Sequence, residues 1–296
     1  MNDKSPHLFC FGLGYSAMAL AGRLFDEGWR ISGTHRAGEK EDGSDNSGFV
    51  SYSFARDYPL DDFDFLFDSV THILISIPPD AAGDPVLDIH GPDIARHREH
   101  IKWIGYLSTV GVYGNTKGRM VDENAPLLPT QERSRFRALA ENRWQNLGAF
   151  NNLPIHVFRL AGIYGPGRSM FDKIRDAKAK NIIKPGHKFS RIHVDDIANV
   201  LMASINKPTP GAIYNVCDDE PAEPSEVTKA ASEIMRFPAP PEISFEDAYR
   251  DMSDMNKTFW ADNRLVSNQR IKEELEITLK YPTYREGLKA IFEAGG

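Results

Sequence analysis

The stretch from His7 to Gly22, HLFCFGLGYSAMALAG, commits the amino end of this chain to a narrow choice of local geometry. A short apolar run, Leu8 to Phe11, enters Gly12-Leu13-Gly14-Tyr15-Ser16-Ala17, and Met18 to Phe25 continues as an apolar helix. That pattern is strand, tight turn, helix. Gly12 suits backbone angles that a Cβ disfavours, Gly14 leaves the turn without a side chain, and Ala17 is small enough for a helix to lie close against a strand. The first N–H groups of such a helix lack intrahelical partners and sit at the positive end of its dipole. The turn Gly12, Gly14, Tyr15, Ser16 and Ala17 therefore predicts a cradle for a pyrophosphate. A plain glycine turn of an α/β protein is the alternative these positions leave open.

More apolar runs follow: Trp29 to Arg36, Val70 to Ile77 stopped by Pro78-Pro79, Trp103 to Leu107 leading into STVGVYG, and Ile155 to Leu160 leading into AGIYGPGR. Nearly continuous Val, Ile and Leu runs alternating with helical segments predict an α/β chain. Its expected form is a Rossmann-type doubly wound parallel sheet with a smaller C-terminal substrate lobe. Residues 1–160, rejoined at 191–216, are the expected dinucleotide domain, and 161–190 with 217–296 the lobe. Ligands of such sheets bind at the carboxyl ends of the strands, where Pro78 and Ser108 also fall. The second run ends in Thr34, His35 and Arg36, with no carboxylate before Glu39. An acid there would hold the ribose 2′-hydroxyl of NAD, whereas a guanidinium pairs with a 2′-phosphate, so this ending predicts NADP in preference to NAD, with Arg36 on the phosphate. The polar stretch Arg36 to Gly48 reads as a flexible loop at the adenosine end.

The succession GLGYSA, LSTVGVYG, RLAGIYGPGR, RIHVDDIA and GAIYNVCDDEP resembles the extended short-chain dehydrogenase/reductase superfamily, which includes sugar-nucleotide epimerases and dehydratases. It is most similar to the atypical branch of NAD(P)-dependent epimerase/dehydratase-like proteins. The motifs run from the amino end to about residue 221. The resemblance implies a catalytic hydroxyl four residues before Tyr113, at Thr109, with Ser108 beside it. It also implies a tyrosine and a lysine spaced YxxxK on the next helix. Glu141 matches the acidic residue that usually follows that lysine, which puts Arg133 on the tyrosine and Arg137 on the lysine. Arg137 could keep the lysine's charge and its hydrogen bonds to the nicotinamide ribose. Arg133 cannot exchange a proton near neutral pH. Tyr113, Tyr164, Asp122 and His193 are the candidate replacement acids or bases. The implied function is an NADP-dependent oxidoreductase, epimerase or dehydratase with an altered proton donor; the alternative is a non-catalytic NADP-sensing or regulatory protein.

Positions 133, 137 and 141 lie one turn apart, so a helix would align them. Facing a crevice, the arginines would bind a carboxylate or phosphate; facing water, they would form a solvated stripe with an Arg137–Glu141 pair. In relatives an arginine four residues before the HVxD histidine grips a diphosphate. Here that place is Phe189, and Arg191 would emerge on the same strand face. Arg133, Arg168, Arg191 and His193 are the candidate contacts to a small anionic substrate, with Lys184 and His187 as further candidates. Asp195 and Asp196 read as caps of a helix over Ile197 to Ile205. The run Phe237 to Pro241 reads as a break between two helices. His90, His97 and His100 lack the companions a metal shell needs, so no metal is expected.

A formal net charge of −7 argues against nucleic acid as a partner. The two cysteines, Cys10 and Cys217, make no disulfide framework. With no apolar stretch of bilayer length and no secretion signal, a cytoplasmic protein off the membrane is expected. The resemblance adds a homodimer.

Overall fold

The computed structural model describes residues 5–36 and 48–295. In chain order the elements are β1 (His7–Phe11), α1 (Tyr15–Asp26), β2 (Arg30–Arg36), β3 (Val50–Phe54), α2 (Phe63–Phe67), β4 (His72–Ile75), α3 (Pro85–Arg96) and β5 (Trp103–Thr109). A 3-10 turn over Val110–Tyr113 leads to β6 (Met120–Val121), α4 (Glu132–Asn151), β7 (Ile155–Leu160), β8 (Gly162–Tyr164), α5 (Met170–Arg175), β9 (Asn181–Ile183) and β10 (Arg191–His193). The rest comprises α6 (Val194–Asn206), β11 (Ile213–Val216), α7 (Pro224–Met235), β12 (Glu242–Ser244), α8 (Phe245–Arg250), α9 (Asp254–Ala261), β13 (Leu265–Val266), α10 (Gln269–Glu274) and α11 (Tyr284–Glu293).

The chain forms two compact units. The first takes Met1–Thr109, Glu132–Arg159 and Ala198–Tyr214; the second takes Val110–Gln131, Leu160–Ile197 and Asn215–Gly296. This partition differs from the expected one in assigning 110–131 and 191–197 to the second unit, the latter with β10, which pairs with β8. For 110–131 the reason is local: β6 pairs in parallel with β13, and the Thr130 hydroxyl donates to Asp262 at 2.7 Å.

In the first unit a seven-stranded parallel sheet runs β3-β2-β1-β4-β5-β7-β11. Successive strands add to one side of β1 and then, from β4 on, to the other. The order therefore reverses between β1 and β4, which is where such a sheet opens a crevice at its carboxyl edge. β1, β4 and β7 are buried at every position because helices cover both faces. β3 had no counterpart among the expected strands: its sequence VSYSF alternates polar and apolar, as suits a partly exposed edge. On α4 the buried residues Ala140, Trp144 and Gly148 recur every fourth position. Leu139 and Phe150 on the same helix are 64% and 86% exposed, so its apolar residues do not form one stripe.

The second unit is built from short parallel pairs, β8 with β10, β9 with β12 and β6 with β13, braced by helices. Its cores gather Tyr164, Phe171, Val227, Tyr284 and Leu288 in one cluster and Ile182, Ala248, Met252 and Trp260 in another. The Phe237–Pro241 run does not separate two helices; it leads from α7 into β12, which pairs with β9.

Candidate functional site

The glycine turn at the end of β1 has the geometry its sequence demands. Gly12 has φ +90°, and a Cβ there would stand 3.0 Å from Cγ1 of Ile77. Its N–H donates to the Thr34 hydroxyl at 2.9 Å, and the Leu13 N–H donates to the Thr34 carbonyl at 2.9 Å, which locks the turn onto β2. Gly14 is different. It is exposed, has ordinary extended angles, and a Cβ on it would meet nothing nearer than the Ser76 hydroxyl at 4.0 Å. The protein itself does not require glycine at that point. Gly14 caps α1 without a side-chain hydrogen bond, and the first turn of α1 carries no acidic residue, so the positive helix end is left for an anion. Tyr15 is half-buried in that first turn, while Ser16 and Ala17 point into the unit and are buried.

Around this turn, Pro78 is exposed just past β4. His35 is clamped between the Ser51 and Ser53 hydroxyls at 2.6 and 2.9 Å, and Arg36 ends β2 on the surface. No carboxylate stands among the described residues at the end of β2. Glu39 and the expected loop, from 37 to 47, lie outside the described residues.

At the end of β5, Ser108 is buried and donates its hydroxyl proton to Glu141. Glu141 in turn is gripped by Arg159 of β7 at 2.8 Å, with side chains 2% and 3% exposed. The Arg137–Glu141 pair of the water-facing alternative is not formed: Glu141 turns inward to Arg159, because a carboxylate at this depth needs a charged partner. Arg137 donates instead to the Leu107 carbonyl and, at 3.4 Å, to the Tyr106 hydroxyl, with its guanidinium 5.6 Å from the Tyr106 ring centre. Burial, against the opposing pull of the Arg137 guanidinium, holds the Tyr106 phenol far above its ordinary range. Thr109, the next residue, is half-buried. Arg133 is exposed in the first turn of α4 and makes no hydrogen bond or ion pair with a described residue.

Arg159 was invisible as a site residue, although a single charge inside the buried run IHVFRL is a signal that a partner must exist.

The other candidates belong to the second unit. Tyr113 is buried, its hydroxyl donating to Asn215 at 2.8 Å. Tyr164 is buried, with its hydroxyl 3.4 Å from the Thr283 carbonyl; burial, then Asp218, pushes its phenol well above the ordinary range, which makes it a poor proton donor. Asp122 is exposed and accepts from the Asn124 N–H at 2.9 Å. His193 is buried, accepts from the Asp195 N–H at 3.1 Å and meets the Tyr164 ring edge-on at 5.2 Å.

Arg168 is exposed, whereas Arg191 donates inward to the Phe189 and Ala222 carbonyls. Lys184 and His187 are not surface anion contacts: the Lys184 ammonium lies 3.7 Å above the Phe245 ring and His187 stacks on Trp260 at 5.5 Å. Phe189 joins the same aromatic group, stacked on Phe259 at 4.5 Å. Asp196 does not cap α6. It lies in the first turn of that helix and accepts from the Lys280 and Tyr281 N–H groups at 2.7 and 2.9 Å, while Asp195 pairs with the Lys280 ammonium at 2.9 Å. Asp218, missed in the sequence, is a buried acid whose oxygens have no hydrogen-bond partner.

A parallel sheet whose first strand passes through a glycine turn into a bare helix end defines a Rossmann-type α/β protein. Residues 93–217 match the model of the NAD dependent epimerase/dehydratase family. It is 47% identical to a functionally unknown conserved protein from Silicibacter pomeroyi DSS, over 98% of this chain and 99% of that one, with a TM-score of 0.88. It is 27% identical to Protein YeeZ of Escherichia coli (strain K12), covering 92% of this chain and 94% of that protein. The fold is shared with the dTDP-glucose 4,6-dehydratase from Bacillus anthracis str. Ames solved in complex with NAD, at 17% identity, coverage of 98% and 96%, and a TM-score of 0.75.

Proposed function

We propose that this chain is an NADP-binding oxidoreductase, epimerase or dehydratase whose tyrosine and lysine positions are taken by Arg133 and Arg137. The observation that carries the proposal is Gly14: an exposed glycine that no protein atom requires, at a helix end with neither a capping side chain nor an acid. That cradle fits a pyrophosphate. Gly12, Gly14, Tyr15, Ser16 and Ala17 would hold it, with Pro78 and Ser108 at neighbouring strand ends and Arg36 on a 2′-phosphate. When bound, the coenzyme would supply a nicotinamide able to give or take a hydride.

The residues of the chain divide the remaining work. Ser108 directs its proton to Glu141 and fixes the end of β5, which leaves Thr109 as the hydroxyl to orient a substrate oxygen. Arg137 keeps a positive charge at the lysine's position, and Arg133 offers its guanidinium to a small anionic substrate. Arg168, Arg191 and His193 are the anion contacts proposed for the second unit by itself. Neither arginine can move a proton; the candidate acids or bases proposed for that role are Tyr113, Asp122 and His193 of the second unit, ahead of the buried Tyr164. The proposal extends to a cytoplasmic homodimer.

A second reading, a non-catalytic NADP-sensing protein, is favoured by one feature. Arg137 is bound to the Leu107 carbonyl and the Tyr106 hydroxyl, its stabilising contacts made within the protein. Calorimetry with NADPH, NADH and 2′-AMP tests the coenzyme: NADPH should bind at least about tenfold more tightly than NADH, and 2′-AMP should compete. Equal affinities would remove the role of Arg36. NADPH oxidation across a carbonyl and sugar-nucleotide panel separates enzyme from sensor. In the double variant Arg133→Tyr, Arg137→Lys, a loss of turnover assigns the arginines to the chemistry, and a gain marks a decayed enzyme.

A further inference from the structure

We propose that Asp218 and Arg191 form a proton-operated latch within the second unit. Asp218 follows β11 and is 2% exposed, yet neither carboxyl oxygen has a hydrogen-bond partner. Its backbone N–H donates to the Arg191 carbonyl at 2.7 Å, which ties the acid to the strand bearing the guanidinium. The guanidinium itself is engaged elsewhere. One of its nitrogens donates to the Phe189 carbonyl at 2.8 Å and to the Ala222 carbonyl at 2.9 Å. These two residues form an isolated antiparallel bridge, each N–H donating to the other's carbonyl, at 3.0 Å from Phe189 and 3.2 Å from Ala222. A single cation therefore caps both acceptors of the bridge that ties the approach to β10 to the approach to α7.

An ionised carboxylate this deep, without a hydrogen bond, is costly, and holding a proton removes the cost. Burial accordingly pushes the Asp218 carboxyl up to about 8, with Asp219 and Glu220 acting in the same direction; against it act the Arg191 guanidinium and the Glu220 N–H, which approaches the carboxyl without closing a hydrogen bond. Tyr164 of β8, Tyr284 of α11 and Glu226 of α7 all act on the Arg191 guanidinium, and Asp196 of α6 and Glu286 of α11 act on the Tyr164 phenol. Tyr284 ends in a buried hydroxyl without a hydrogen-bond partner. Cys217 beside Asp218 is buried as well, and the two other cations nearby are already paired, Lys272 with Asp219 at 2.6 Å and Arg285 with Glu220 at 3.4 Å, so Arg191 is left to neutralise a newly formed carboxylate. Once Asp218 loses its proton, it becomes the strongest acceptor near the guanidinium. Arg191 then leaves the two carbonyls for the carboxylate, and the 189–222 bridge loses its cap. The latch is closed at neutral pH and below, and opens as the solution turns alkaline.

The test is hydrogen exchange of the Phe189 and Ala222 amides in the full chain across pH 6.5 to 9.5, corrected for the intrinsic rise of exchange with pH. It is run beside a carbon-13 titration of the Asp218 side chain. Protection of both amides should fall by about tenfold, the loss of a hydrogen bond to a charged group, in step with the Asp218 signal. In Asp218→Asn the protection should stay level over the same range. Asp218 titrating like an ordinary carboxylate would overturn the latch, as would pH-independent protection in the native chain or an unchanged fall in Asp218→Asn. Should that variant not fold, the native titration and exchange profiles decide the matter together.

Discussion

Two glycines two residues apart separate what the protein needs from what a ligand would need. Gly12 is required by its own backbone, with φ +90° and Ile77 only 3.0 Å from the place of a Cβ. Gly12→Ala should therefore lower stability by about 1–3 kcal/mol, read from the urea midpoint. Gly14→Ala meets no such obstacle, and alanine is only slightly worse than glycine at a helix cap, so its melting temperature should stay within a few degrees of the parent. NADPH affinity of Gly14→Ala should nevertheless fall by about tenfold or more, because the methyl enters the space of the pyrophosphate. Unchanged affinity would remove the cradle. The buried Glu141–Arg159 pair makes a second contrast. Glu141→Gln or Arg159→Met each leaves a buried group unmatched and should cost about 3–5 kcal/mol in urea unfolding. Because both substitutions break the same contact, the double variant should lose clearly less than the sum, and simple additivity would show that the two side chains act independently.

At the scale of the element, α4 runs against its own electrostatics. Arg133 stands in its first turn, where the helix dipole is positive and a cation is disfavoured. Arg133→Glu should raise stability by about 0.3–1 kcal/mol at low salt, with the gain shrinking as salt is added. A loss would mean that this guanidinium stabilises the folded chain rather than awaiting an anion. The same helix shows where sequence reading stops. Periodicity aligns 133, 137 and 141 along α4 but cannot say what lies opposite, so it leaves the facing of Glu141 open and gives no hint of Arg159. The strands β1, β4, β5 and β7 were legible because burial on both faces writes an unbroken apolar run. The β6–β13 and β9–β12 pairs were not, since they are two or three residues long and their partners come from distant parts of the chain. Likewise, the glycine turn is a local motif and was read in place, whereas Asp218 becomes notable only once burial has stripped it of partners.

Across the whole molecule, the acid response is governed by histidines buried in neutral form. His7, His72, His156 and His187 are each held down to about 4, burial being the largest cause in every case. Their hydrogen bonds fit the neutral ring: His156 accepts from the Thr209 N–H at 2.9 Å, and His7 meets the Ser32 and Ser69 hydroxyls at 2.7 and 3.1 Å. Between the unfolded value of 6.5 and about 4, the unfolded chain binds protons that the folded chain refuses. Stability contributed by these groups is thus complete above 6.5 and is lost as pH falls toward 4. Asp218 acts in the opposite sense. Its folded value of about 8 lies above its unfolded 3.8, so it removes stability as pH rises between those limits. Near pH 5 the four rings, joined by His90, oppose Asp218, Asp84 and Glu123, whose carboxyls burial raises. The rings outnumber the acids, and with each group changing stability by at most roughly 1.4 kcal/mol per pH unit, acidification destabilises. The urea midpoint should therefore drop between pH 7 and pH 5, and His156→Asn, which removes one of the four titrating rings, should flatten that drop. A midpoint that held steady or rose over the same interval would mean that these rings already carry protons in the folded chain.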